Sequence, residues 1–131
     1  MKPAQLKRYL LSKPEAIEDY PFGPDAAVYK VADKMFALTF YRDDVLNVNL
    51  KCHPREAIEL RDVFDAVQPG YHMNKQHWNT VILDGSIPKG EIERMIDHSY
   101  ALVVKGLKKA VRQGLEIRHG RDHLYPGSMA R

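Results

Sequence analysis

Three short runs of alternating side chains between residues 27 and 52, with only turns between them, constrain this chain more than any other feature. Ala27 to Ala32 places Tyr29 and Val31 on one face and Val28 and Lys30 on the other. Met35 to Tyr41 sets Phe36, Leu38 and Phe40 against Ala37, Thr39 and Tyr41. Val45 to Cys52 sets Leu46, Val48, Leu50 and Cys52 against Asn47, Asn49 and Lys51. A period of two sends successive side chains to opposite faces of a strand. Asp33-Lys34 and Arg42-Asp43-Asp44 leave room only for tight turns, so the three strands must be antiparallel neighbours. The pattern predicts that Phe36, Leu38, Phe40, Leu46, Val48 and Leu50 are buried together under helices. Asn47, Asn49 and Lys51 are expected to face solvent.

The flanking segments supply those helices. Pro3 to Leu11 reads as a short helix, with Leu6 and Leu10 one turn apart and Pro3 tolerated in the first turn. Ser12-Lys13-Pro14-Glu15 has the spacing of a capping box, and Tyr20-Pro21-Phe22-Gly23-Pro24-Asp25 can only be a loop. Pro54 to Val67 reads as a helix with the stripe Ala57, Leu60, Phe64 and Val67, ended by Gln68-Pro69-Gly70. Trp78 to Leu83 reads as a fourth strand. Ser86-Ile87-Pro88 opens the longest helix, whose Ile92, Met95, Ile96, Ser99, Val103 and Leu107 recur at helical spacing to about Gly114. The order helix, three strands, helix, strand, helix predicts an α+β domain over residues 1–114. Its small antiparallel sheet has helices packed on one face and the outer face open. Residues 115–131 read as a basic C-terminal extension of unassigned role, without a core face of its own from Arg118 onward.

Composition narrows the class. No stretch approaches the roughly 20 apolar residues that cross a bilayer, and no apolar segment follows the basic start of the chain. The one cysteine, Cys52, excludes an internal disulfide and fits a reducing compartment. The expectation is a cytoplasmic protein with no membrane partner. Net charge is +3, but seven basic residues (Lys105, Lys108, Lys109, Arg112, Arg118, Arg121, Arg131) stand against Glu116 and Asp122 from residue 105 onward. Such a segment attracts phosphates, or is simply a solvated helix face.

The motifs of nucleotide-binding loops, serine hydrolases and zinc proteases are missing, so no residue set draws a catalytic role and an enzyme is not expected. No cofactor is expected either. Among possible metal ligands, Cys52 and His53 are adjacent and point to opposite faces of a strand, and no regular element brings His72 and His77 together. Cys52 lies on the apolar face and reads as an inert core thiol.

The stretch Tyr71 to Thr80 is the most distinctive in the chain. It sets Asn74, Lys75, His77 and the only tryptophan, Trp78, between a helix and a strand. These groups suit phosphate and base contacts. Equally, Trp78 can anchor the core while Asn74 and His77 satisfy loop backbone. Lys30, Thr39, Tyr41, Asn47, Asn49 and Lys51 would form a polar, mildly basic outer face of the kind β-ribbon readers bring to a groove.

Several stretches together resemble the MmcQ/YjbR family of small bacterial proteins. They are Tyr20-Pro21-Phe22-Gly23-Pro24-Asp25, Lys34-Met35-Phe36-Ala37, Leu50-Lys51-Cys52, Pro69 to Lys75, His77 to Val81, Leu83-Asp84-Gly85-Ser86 and Asp97-His98-Ser99-Tyr100. The likeness runs from about Leu6 to Lys109. It implies a frataxin-like (CyaY-like) fold and a proposed role in binding double-stranded DNA through a double wing of sheet hairpins. On that reading the nucleic-acid candidates are Lys30, Lys51, Asn74, Lys75, His77, Trp78, Lys105, Lys108, Lys109 and Arg112, with Lys75 on a phosphate. The alternative is a small-molecule or protein-interaction module with a pocket near His72–Trp78. The frataxin likeness also raises iron binding. Yet the first helix carries Lys7 and Arg8, and Glu15, Glu18 and Asp19 follow it without forming the convergent carboxylates a hard cation needs.

Overall fold

The alternating runs are realised as neighbouring antiparallel strands in a computed structural model that describes residues 1–127. Residues 128–131, Arg131 of the basic segment among them, lie outside the described residues. The elements are α1 (Pro3–Leu11), β1 (Ile17–Asp19), β2 (Ala26–Val31), β3 (Lys34–Arg42), β4 (Val45–Lys51) and α2 (Pro54–Val63). They continue with β5 (Val67–Pro69), β6 (Trp78–Ile82), α3 (Lys89–Lys105), α4 (Lys109–His119) and α5 (Arg121–Leu124). One antiparallel sheet runs in the order β1-β2-β3-β4-β6-β5, and the fold is α+β as expected.

Both hairpins close on two residues with positive φ, Ala32 and Asp33 (48° and 64°), then Asp43 and Asp44 (54° and 62°). Two left-handed residues match the right-handed twist of the flanking strands. The first turn therefore falls one residue earlier than the expected Asp33-Lys34.

Register corrects the expected faces. Ala37, Thr39 and Tyr41 pair with Leu50, Val48 and Leu46, so these six share one face, which the helices cover except at Tyr41, 63% exposed at the end of β3. Leu38 and Phe40 pair with Asn49 and Asn47 on the outer face. Phe36 escapes the alternation, because Tyr29 pairs with Ala37 and Lys30 with Met35, leaving it as the extra residue of a bulge. It turns inward and meets the edge of the Tyr100 ring at 5.2 Å. A bulge resets the period of two, which a strict alternation cannot register. Ser99 of α3 occupies the same spot: its hydroxyl donates to the Phe36 carbonyl at 2.6 Å and accepts from the Lys51 amide at 2.8 Å.

The core lies between sheet and helices, with Leu6 and Leu10 from α1, Ala57 and Leu60 from α2, and Ile96 and Tyr100 from α3 against Val48, Leu50 and Val81. The helix over Pro54–Val67 stops at Val63, and Val67 starts β5, an edge strand where Pro69 is tolerated. The long helix breaks at Gly106 rather than running to Gly114. Leu115, Leu124 and Tyr125 are buried in the common core, so residues 115–127 do have a core face. Among the described residues, no helix is long and apolar enough to cross a membrane.

Candidate binding cleft on the outer sheet face

The loop joining β5 to β6 decides what the outer face is. Gly70 starts it, and its amide donates to the Trp78 carbonyl at 2.9 Å. A Cβ there would lie 2.8 Å from both the Cβ and the carbonyl oxygen of Trp78, so close approach demands glycine. The chain then turns back through Met73, whose amide donates to the Gly70 carbonyl at 3.2 Å, with His72 at φ 59°. Tyr71 is thereby laid across the sheet. Its carbonyl accepts from Asn49 Nδ2 at 3.0 Å, and its amide donates to Thr80 Oγ1 at 2.8 Å. That hydroxyl donates to Asn49 Oδ1 at 2.5 Å. Asn47 and Asn49, expected to be solvated, are 3% and 1% exposed. Buried amides need partners, and the loop and β6 supply one each to Asn49.

The loop also consumes the side chains that drew attention to it. Lys75 Nζ donates to the Gly70 carbonyl at 2.8 Å, and Asn74 Oδ1 accepts from the Gln76 amide at 2.9 Å. Arg61 of α2 donates to the carbonyls of Lys75 and Trp78, and through Nε to Asn79 at 2.7 Å. His77 is exposed, and its carbonyl accepts from the Cys52 amide at 2.7 Å. Trp78 is half-buried, opposite Lys51 at the end of the β4–β6 ladder.

Tyr71 acts as a bar across the outer face. Its ring stacks on Phe40 (5.5 Å between centroids, 27° between planes), with the Arg42 guanidinium 4.6 Å from its centre and the His72 ring at 4.1 Å. On one side lies a cleft of about 480 Å³ over Ala26, Met35, Leu38 and Phe40, walled by Tyr71 and Met73. Its rim holds Asp25, His72 and Phe22, the last 71% exposed. On the other side, about 440 Å³ lies over Asn47, Thr80 and Ile82, reached by Gln68 and Lys75. A hollow of about 580 Å³ beside α1 is lined partly by Lys7, Glu18 and Tyr29, which already pair with one another. Only the first combines an apolar floor with stacked rings. None of Leu38, Phe40 or Tyr71 was singled out in sequence as a binding residue. The available signal was that Met35 to Tyr41 is apolar at nearly every position, as in a strand covered on both faces.

The basic candidates divide between the outer face and the helical layer. Lys30 pairs with Asp19 at 2.9 Å, and Lys51 is half-buried on the outer face. Lys105 lies 5.1 Å from the centre of the Tyr125 ring, and Lys108, Lys109 and Arg112 belong to the start of α4, in the helical layer behind the sheet. The hairpin tips carry Asp33, Asp43 and Asp44.

The acidic residues considered for iron are each engaged. Glu15 holds Arg118 and His119, Glu18 accepts from Tyr29 and Tyr20, and Asp19 holds Lys30. They do not fit a hard-cation site. A different set does converge. Cys52 at the end of β4, Glu56 of α2 and His98 of α3 bring one ligand atom each to within 4.8 Å of the others. Burial, helped by the Glu56 charge, pushes the Cys52 thiol up to about 12. Burial also holds His98 below the usual imidazole range, against the pull of Glu56. His53, by contrast, is exposed and accepts from the Arg55 amide at the start of α2. Distance along the chain explains why sequence reading missed the set: Cys52 and Glu56 lie on either side of the turn from β4 into α2, and His98 arrives from a helix over forty residues away.

Comparison with known proteins gives consistent relatives. The YjbR family model matches residues 11–102. The uncharacterized protein YbdF of Escherichia coli O157:H7 is 36% identical over 114 residues, covering 87% of this chain and 92% of its own. The uncharacterized protein YjbR of Escherichia coli K12 is 36% identical over 110 residues, covering 84% and 93%. Among solved structures, the Deinococcus radiodurans protein DR2400 superposes with a TM-score of 0.79 at 37% identity, covering 86% of each chain. A Pseudomonas syringae protein superposes with a TM-score of 0.70 at 33% identity, covering 78% of this chain and 98% of that one.

Proposed function

The chain belongs to the YjbR family, and we propose that it is a non-enzymatic binding module whose outer-face cleft receives a small, flat, largely apolar ligand. The observation that carries this reading is the cleft of about 480 Å³ built on the stacked Phe40–Tyr71 pair. Its volume falls within the roughly 300–1,000 Å³ of small-molecule sites, and an apolar lining with a few convergent polar groups is their usual chemistry. Met35 and Met73 give it adaptable walls. Asp25 and His72 supply the directional contacts, since the polar atoms of Asn49 are already spent on the Tyr71 carbonyl and the Thr80 hydroxyl. A flat ring bearing one hydrogen-bond donor matches that lining.

Double-stranded DNA is the competing partner. Its support is the set of lysines near the outer face, Lys30, Lys51 and Lys75. Against it stand the salt bridge of Lys30, the backbone bond of Lys75 and the paired aspartates Asp43 and Asp44 at the β3–β4 tip, which repel phosphates. Nuclear magnetic resonance titration separates the two. Flat aromatic fragments should shift the amides of Leu38, Phe40 and Tyr71, independently of salt, and Tyr71→Ala should abolish the effect. A random-sequence duplex that instead shifts Lys51 and Lys75, with affinity falling steeply as salt rises, would overturn the cleft reading in favour of DNA.

A further inference from the structure

Behind the sheet, away from the cleft, three side chains from three elements meet around a small void. We propose that Cys52, Glu56 and His98 form a binding site for a single zinc ion. Their ligand atoms lie within 4.8 Å of one another. Tetrahedral zinc, with bonds of about 2.3 Å to sulfur and about 2.0–2.2 Å to nitrogen and oxygen, holds its ligands roughly 3.3–3.7 Å apart. A closure of about 1 Å, small side-chain rotations, completes that geometry.

The void is of matching size. It measures about 10 Å³ and is otherwise lined by Leu50, Leu60, Val81 and Met95 among others. That is about the space of one water-sized sphere, too small for an organic ligand and enough for an ion's fourth ligand. His98 Nε2 is a second, independent pointer. The atom is buried without a hydrogen-bond partner, and Glu56 Oε2 stands 3.5 Å away, an ion pair only when the imidazole is protonated. A buried polar atom left unpaired calls for a partner that the protein itself does not provide.

The donors select the ion. A thiolate with an imidazole and one carboxylate suits zinc, whereas calcium and magnesium take oxygen ligands. On binding, the Cys52 S–H proton leaves to solvent and the sulfur–zinc bond forms. Arg94 holds Glu56 Oε1 at 2.6 Å, fixing the carboxylate, and reaches Glu91 at 3.3 Å. The charges of the ion and Arg94 are then matched by the thiolate, Glu56 and Glu91. The frame is set in advance: the Cys52 amide is bonded to the His77 carbonyl, and the Lys51 amide to Ser99, beside His98. An ion here would clasp the end of β4 to α2 and α3.

The test uses the full chain stripped with a chelator and titrated with Zn²⁺ against a chromophoric competitor. One ion per chain is expected, with Co²⁺ giving a sulfur-to-cobalt charge-transfer band in the near ultraviolet. Cys52→Ser and His98→Gln should each weaken binding by more than about 100-fold, beyond what loss of an outer-shell partner costs. Far-ultraviolet circular dichroism checks that both variants fold. Glu56→Gln, which keeps an acceptor for Arg94, is the gentler third variant and should also weaken binding. Tyr71→Ala should bind the ion as the wild type does, so the cleft reading stands or falls separately. Absence of stoichiometric binding overturns the site. So does affinity unchanged in Cys52→Ser and His98→Gln, which would assign the ion to exposed histidines such as His53 or His77.

Discussion

Asn49 shows how a single polar residue can mean two different structures. On a strand with one open face, an asparagine between Val48 and Leu50 is a solvated side chain. Here it is 1% exposed and makes two side-chain hydrogen bonds, one to the Tyr71 carbonyl and one to the Thr80 hydroxyl. Removing one partner of a buried hydrogen bond costs the desolvation of whatever it leaves unpaired, about 1–3 kcal/mol. Asn49→Ala should therefore lower the unfolding free energy by that amount, read as a lower denaturant midpoint at unchanged slope, whereas a truly solvated asparagine would lose under about 0.5 kcal/mol. A loss that small would return the outer face to solvent and remove the floor of the cleft. Sequence reading placed Asn49 on the correct face and erred only on its cover. The bond to a residue over twenty positions later has no local signature.

At the scale of elements, the strands were legible and the segments lying over them were not. The hairpins β2–β3 and β3–β4 followed from alternation and the short breaks between the runs, because those signals are local and physical. Phe36 broke the pattern because a bulge inserts one residue, and the stripe of α2 ran on too far because Phe64 and Val67 fit helical spacing by coincidence. The loop of residues 70–77 belongs to the same class: its composition was conspicuous, but its path depends on Gly70. With no Cβ, Gly70 approaches Trp78 closely enough to throw Tyr71 over Phe40. Gly70→Ala puts a methyl group 2.8 Å from the Trp78 carbonyl oxygen, a strain of about 1–3 kcal/mol that only displacement of the loop relieves. The expected result is a lower melting temperature, together with loss of the ring-current shifts that Tyr71 and Phe40 impose on each other. Intact ring-current shifts in Gly70→Ala would show that the loop's path does not rest on this contact.

Across the whole molecule, the C-terminal segment is held by two kinds of force that respond differently to conditions. Leu115, Leu124 and Tyr125 bury apolar surface in the common core, which acid and salt leave nearly untouched. Glu15, in the connection between α1 and β1, reaches across the chain to Arg118 at 2.7 Å and His119 at 2.6 Å. Those partners, Arg118 first and His119 second, hold the Glu15 carboxyl below its ordinary range. The sign follows directly. A carboxyl with a lower pKa in the folded protein contributes stability that is complete above its unfolded value and fades as pH falls through its folded value. The clasp is exposed, so salt also weakens it. Amide exchange of α4, corrected for intrinsic rates, should therefore speed up relative to α3 on acidification below about pH 4, near the ordinary carboxyl pKa. Glu15→Gln should produce the same loosening at neutral pH, while the slowest-exchanging sheet amides stay as they are. If α4 exchanges alike in wild type and Glu15→Gln, apolar burial alone holds the segment. The ion pairs would then be surface decoration of the kind that contributes little.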